Sequence, residues 1–196
     1  EGSMLVAGSP AASGASGPNG AVHVFDLDGA APEQPIRSLT HPQATGAANF
    51  GMAVAISGRR IVVGSWWVTG EPAGERATVF ELDSANPMEP VARLAAPDLE
   101  FGYSFAYAVA ISGDEVVIGG GYPGIGTGFP GGLWAFDLNE GANPSAELVP
   151  NPAPAGSENL GMAVAMADGK VLAAALLTEP ADLLAGSAYL LATTGG

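Results

Sequence analysis

The chain has 196 residues, enough for one sizeable core or one repeat array. Charged residues are only 13%, glycine (29) and proline (16) are abundant, and a 47% hydrophobic share argues against disorder. Six Lys and Arg against twenty Asp and Glu give a net charge of −14, which repels phosphate backbones and anionic headgroups and argues against nucleic acid or a membrane surface as partner. Cysteine is absent, so disulfides, thiolate nucleophiles and Cys-type zinc sites are excluded. Apolar runs such as residues 171–177 are too short to span a bilayer, and no basic stretch of the signal-peptide kind opens the sequence. Abundant turn formers with little charge suit many short strands better than long helices.

Residues 1–49 form the first row of a repeat. Gly2 aligns with Gly58 of the next row and Leu5 with Ile61, so the row opens inside a turn and lacks its first strand. The run "VHVFDLD" reads as its third strand. Residues 50–104 carry a full set of four: 52–57 ("MAVAIS"), 60–64 ("RIVVG"), 77–82 ("ATVFEL") and 91–96 ("VARLAA"). In the first, Val54 and Ile56 alternate with Ala53 and Ala55, while the second is apolar on both faces and so buried on both. Residues 105–159 repeat the set, and residues 160–196 repeat it without a fourth strand. Phe50, Phe105 and Leu160 are spaced 55 apart, and Phe25, Phe80, Phe136 and Leu191 are spaced 55 or 56 apart. Ser57-Gly58, Ser112-Gly113 and Asp168-Gly169 stand where a tight hairpin needs positive φ.

A four-stranded unit of about 55 residues is one blade of a β-propeller. The expected fold is all-β, with blades of four antiparallel strands in an incomplete array of about 3.5 blades. Three readings of that incompleteness stand together. The chain is part of a longer propeller, it assembles with copies of itself, or it closes alone as a four-bladed ring. Val54, Ile56, Val62, Val109, Ile111, Val117 and Val164 are the expected core.

The pattern running from "Phe50-Gly51" through "AVAISG" to "Gly64-Ser65" resembles the FG-GAP repeat, the blade of integrin α-subunit propellers and of many secreted bacterial proteins. The likeness covers essentially the whole chain. Calcium-binding members of that family carry a D-x-D-x-D-G loop between strands one and two. Here that turn is "SGRR", "SGDE" or "ADGK", too short to wrap a cation needing six to eight oxygens. The resemblance therefore implies a calcium-free branch, with no cofactor and no metal.

No catalytic constellation stands out. "GGGYPG" at 119–124 matches G-x-G-x-x-G, but "IGTGFPGG" and a strand follow it where a dinucleotide site needs a helix. Neither His23 nor His41 has a neighbouring histidine or cysteine at ligand spacing. Asp26 and Asp28, Glu81 and Asp83, and Asp137 and Glu140 recur after strand three. They suit a weak cation or acid–base work, and equally the needs of a hairpin turn. Trp66 and Trp67 either plug gaps between blades or offer an indole to a ligand.

Loops two–three and four–one are long and share one face, because the strands of a blade alternate in direction. Trp66, Trp67, Phe101, Tyr103, Tyr122 and Phe129 fall in them and are the candidate binding residues. The favoured function is a non-catalytic recognition or adhesion module, extracellular or on the cell surface, binding protein or glycan through that face. The alternatives are a structural subunit of a self-assembling polymer or sheath, associating through its incomplete terminal blades, and an enzyme with a carboxylate-based site.

Overall fold

The strand-forming runs are short because each ends at a glycine, a proline or a polar turn. The computed structural model describes residues 2–14, 17–42, 48–65, 75–95, 105–120, 131–152, 159–176 and 186–193. The first sheet contains β1 (Met4–Ser9), β4 (Ala21–Asp26) and β5 (Arg37–Leu39) in that order. A small hairpin of β2 (Ser13–Gly14) and β3 (Gly17–Pro18) is inserted after β1. The second sheet runs β6 (Ala53–Ser57), β7 (Arg60–Gly64), β8 (Glu75–Glu81), β9 (Ala92–Ala95). The third runs β10 (Ala108–Ser112), β11 (Glu115–Gly119), β12 (Leu133–Asp137), β13 (Glu147–Val149). The fourth runs β14 (Ala163–Ala167), β15 (Lys170–Leu176), β16 (Gly186–Ala192). Every pairing within these sheets is antiparallel, and sequence neighbours are spatial neighbours, as in a propeller blade. The fold is therefore all-β, an incomplete propeller-type array. Among the described residues no helix is long and apolar enough to cross a membrane.

The hairpins form where the turn chemistry requires them. Ser57 pairs with Arg60 and Ser112 with Glu115, leaving two-residue loops that begin with Gly58 (φ +58°) and Gly113 (φ +62°). A leading glycine with positive φ is what a type II′ turn needs. Asp168 and Gly169 both have positive φ, +49° and +67°, as a type I′ turn needs. The third strand of the second sheet starts at Glu75, two residues before the expected 77, and an irregularity between Glu75 and Ala77 re-registers it against β9.

Each sheet packs on the next, and each junction has its own core. Val22, Val24 and Leu39 of the first sheet meet Ile61, Val63 and Phe80 of the second. Val62, Val79 and Leu94 of the second meet Val116, Ile118, Trp134 and Phe136 of the third. Val117, Leu133 and Val149 of the third meet Val171, Ala173 and Ala175 of the fourth. The first strands β6, β10 and β14 pack side by side, and β1 lies against β6, so the sheets fan out from that line. Alanines at 53, 55 and 110 keep the crowded inner strands thin.

Of the expected core, Val62, Val109, Ile111 and Val117 are buried, whereas Val54, Ile56 and Val164 are only half-buried. The reason is local for the first two. Val109 and Ile111 face β6 of the preceding sheet, while Val54 and Ile56 face the first sheet, which has no strand at that inner position.

The repeated glycines mark where backbones touch between sheets. A methyl built on Gly8 would stand 1.9 Å from the carbonyl oxygen of Gly51, and one on Gly119 would stand 2.2 Å from that of Gly161. Gly20 and Gly131 form parallel bridges with Phe50 and Leu160 across the same junctions. The glycine closing strand two and the residue after Phe50, Phe105 or Leu160 in the next repeat are thus two halves of one contact. Gly51 and Gly161 have φ of +89° and +95°. In the third repeat Ala106 takes this position at φ +66°, and its methyl is buried in the middle core, which offsets part of the strain.

Candidate functional site

The antiparallel order divides the loops between two rims. One rim carries the two-residue turns after strand one and the connections from strand three to strand four. The other receives the end of every strand two and strand four.

On the short-turn rim the recurring acidic residues serve the turns. The backbone N–H of Asp28 donates to Asp26 Oδ1 at 3.2 Å, and that of Asn139 donates to Asp137 Oδ1 at 2.9 Å. These are Asx turns that fix the chain reversal. Glu140 accepts from both the hydroxyl and the backbone N–H of Ser145, at 2.6 and 2.7 Å, and these bonds hold its carboxyl below the usual range. Asp83 accepts from the Arg59 guanidinium at 2.8 and 3.0 Å, an exposed pair worth at most about 1 kcal/mol.

Other side chains on this rim tie the sheets together. Arg60 bonds Glu81 on its own sheet at 3.0 Å and Asp114 on the next. Ser57 Oγ accepts from the backbone N–H of Gly113 at 3.1 Å. The Thr193 hydroxyl of the fourth sheet donates to Glu115 of the third at 3.0 Å. These cross-sheet links are not legible in a single repeat, because they join positions a whole row apart. A hollow between the third and fourth sheets is lined by Glu115, Asp137, Glu140, Glu147 and Thr193. Among the described residues no three carboxylate or imidazole groups converge as a metal site would require.

His41 and His23 have structural surroundings. The His41 ring stands edge-on to Phe50 at 5.6 Å. Burial, reinforced by the Arg93 charge, lowers its pKa from 6.5 to about 4. His23 Nδ1 lies 2.9 Å from the Ser38 hydroxyl on the neighbouring strand. The depressed His41 value has a pH signature. The unfolded chain takes up this proton near pH 6.5, whereas the folded chain resists it down to about 4. The contribution is fully present above pH 6.5 and is lost as pH falls toward 4. For a partly solvated ring the expected loss between pH 7 and pH 5 is about 1–2 kcal/mol. Urea titrations at both pH values should show that loss in the parent and a clearly smaller one in His41→Gln. Equal losses in both proteins would refute it.

The long-loop rim is bounded by described strand ends. Ser9, Gly64 and Gly119 end strand two there, and Leu39, Ala95 and Val149 end strand four. The six aromatic candidates Trp66, Trp67, Phe101, Tyr103, Tyr122 and Phe129 lie outside the described residues. Ser65, immediately before Trp66, is buried and donates its N–H to Arg76 at 2.7 Å, closing the base of that loop. Gly120 donates to Gly132 at 2.9 Å and closes the base of the loop that carries Tyr122 and Phe129. Trp134 fills the space beside both glycines, since a methyl on Gly120 or Gly132 would strike its ring at 2.5 or 2.9 Å.

No protein-family model matches the chain, and no curated protein matches it.

Proposed function

We propose that the protein is a non-catalytic recognition or adhesion module that binds protein or glycan through its long-loop rim. The observation that carries this reading is the contrast between the rims. One carries two-residue turns whose Arg59 and Asp114 are held in ion pairs, together with strand three-to-four connections held by Asx turns. The other collects the ends of every strand two and strand four, including the long connections from each strand four to the next sheet, on a scaffold with three packed cores. Rigid strands with pinned loop bases reduce the entropy lost on binding. The resemblance to FG-GAP repeats and the acidic balance support a secreted or cell-surface setting, with no metal or cofactor required for recognition.

The test is a screen of immobilised glycans and extracellular proteins, followed by variants on either rim. Trp66→Ala and Tyr122→Ala are expected to weaken the captured interaction by about 1–3 kcal/mol each, as anchor residues do. Both should leave the melting temperature nearly unchanged, and Arg59→Ala on the opposite rim should bind as the parent does. Parent-level binding by both aromatic variants would exclude this rim as the site.

A further inference from the structure

The chain has seven asparagines, and Asn19 is the one followed by glycine. The following residue decides how readily an asparagine loses its side-chain nitrogen. The reaction begins when the next backbone nitrogen attacks the side-chain amide, and a residue with no Cβ leaves that approach uncrowded. Asn86, Asn143 and Asn151 precede proline, which has no N–H to give up. Asn49, Asn139 and Asn159 precede the bulkier Phe50, Glu140 and Leu160. The repeat does not demand asparagine at this place, since Pro130 precedes Gly131 at the corresponding junction of the third and fourth sheets.

The fold holds the peptide unit between Asn19 and Gly20 at both of its polar atoms. The Gly20 N–H donates to the Ala12 carbonyl at 3.1 Å, and the Asn19 carbonyl accepts from the Phe50 N–H at 3.1 Å. Attack requires rotation about the Asn19 Cα–C bond, to bring the Gly20 nitrogen to Asn19 Cγ, and that rotation breaks both bonds. Gly20 also forms a parallel bridge with Phe50, so close that a methyl on Gly20 would stand 2.1 Å from the Phe50 carbonyl oxygen. Phe50 is fully buried in the core that joins the first and second sheets. Asn19 Oδ1 is buried beside this contact.

We infer that Asn19-Gly20 is a latent deamidation site, locked while the first and second sheets are joined, and that its conversion irreversibly loosens that junction. In the reaction the Gly20 nitrogen gives its proton to hydroxide and attacks Asn19 Cγ. A C–N bond forms, the side-chain nitrogen leaves as ammonia with a proton taken from water, and a five-membered imide remains. Water then opens the imide at either carbonyl. Ammonia has left and water has entered, with no oxidation or reduction. Opening at one carbonyl leaves aspartate, which puts a carboxylate where Asn19 had a buried amide oxygen. Opening at the other routes the main chain through the former side chain and lengthens it by one methylene. That extra length falls beside Gly20, where the backbone of Phe50 leaves no room for an added carbon. The folded chain therefore reacts only through the fraction in which this junction is locally open.

Peptide mapping by mass spectrometry tests this, after the intact chain is held in warm, mildly alkaline buffer with and without unfolding concentrations of urea. Conversion at Asn19 is expected to be about tenfold or more slower in the folded protein than in the unfolded one. Phe50→Leu loosens the first junction and should raise the folded rate several-fold. Val171→Ala, at the junction of the third and fourth sheets, should leave the rate at the parent value. Converted chain, separated by its added negative charge and returned to native buffer, should melt below the unconverted protein or fail to refold. Equal rates in the folded and unfolded chains would overturn the proposal, as would no conversion at Asn19 even in urea. So would a Phe50→Leu rate equal to the parent's, a Val171→Ala rate as high as that of Phe50→Leu, or a converted protein that melts as the parent does.

Discussion

Phe105→Ala is expected to destabilise the protein by about 3–5 kcal/mol, the cost of emptying a fully buried aromatic site. Phe105 is 1% exposed and stands edge-on to Trp134 and Phe136, with ring centroids 5.3 and 6.2 Å away. All three rings belong to the middle core, which joins the second and third sheets. Its loss also weakens the link between the two halves of the array, because sheets in a repeat array are stabilised chiefly by their neighbours. Urea unfolding followed by tryptophan fluorescence should show a lower midpoint and a broader transition. A cost under about 1 kcal/mol would mean that this ring is not at the centre of a tight junction.

Gly119→Ala should cost about 3 kcal/mol or more, at the upper end of what overpacking does, although it adds only a methyl. That methyl would stand 2.2 Å from the carbonyl oxygen of Gly161 and 2.9 Å from its carbonyl carbon. Both are backbone atoms of the next sheet, so relief requires the third and fourth sheets to move apart. Gly113→Ala is the control. Gly113 has φ +62° but nothing within 4 Å of the added carbon, so only the conformational cost of about 1 kcal/mol applies. Equal effects of the two substitutions would show that glycine conformation, and not sheet approach, sets the requirement.

The two substitutions also show what was legible in the sequence. A glycine at the end of strand two (Gly8, Gly64, Gly119) and a large apolar residue at the start of the next row (Phe50, Phe105, Leu160) both recur at a fixed spacing. Periodicity announces them, and it correctly implied four rows of strands with tight turns after strand one. It could not reveal that Gly8 meets Gly51 and Gly119 meets Gly161, because a period gives intervals and not neighbours. The core expectation failed at Val54 and Ile56 for a related reason. Alternation says which face a residue is on, but the cover on that face is supplied by another sheet, and the first sheet has no strand there. The acidic pairs after strand three were ambiguous as residues, and hydrogen bonding resolves them into turn supports and partners of Arg59 and Arg60. The aromatic candidates rested on loop length and strand direction alone. The strand directions set the rim, and the aromatics themselves lie beyond the described residues.

Both proposals depend on the same structural claim, that successive sheets meet face to face through close backbone contacts between repeats. Through-space proton couplings in a nuclear Overhauser spectrum test it most directly. A methyl built on Gly8 would lie 3.3 Å from the Cα of Gly51, and one built on Gly119 would lie 3.0 Å from that of Gly161. Residues 43 and 42 apart in sequence are therefore in direct backbone contact. The account predicts cross-peaks between the α-protons of Gly8 and Gly51, and between those of Gly119 and Gly161. Fully assigned spectra that lack both pairs, while retaining the cross-strand peaks within each sheet, would contradict it.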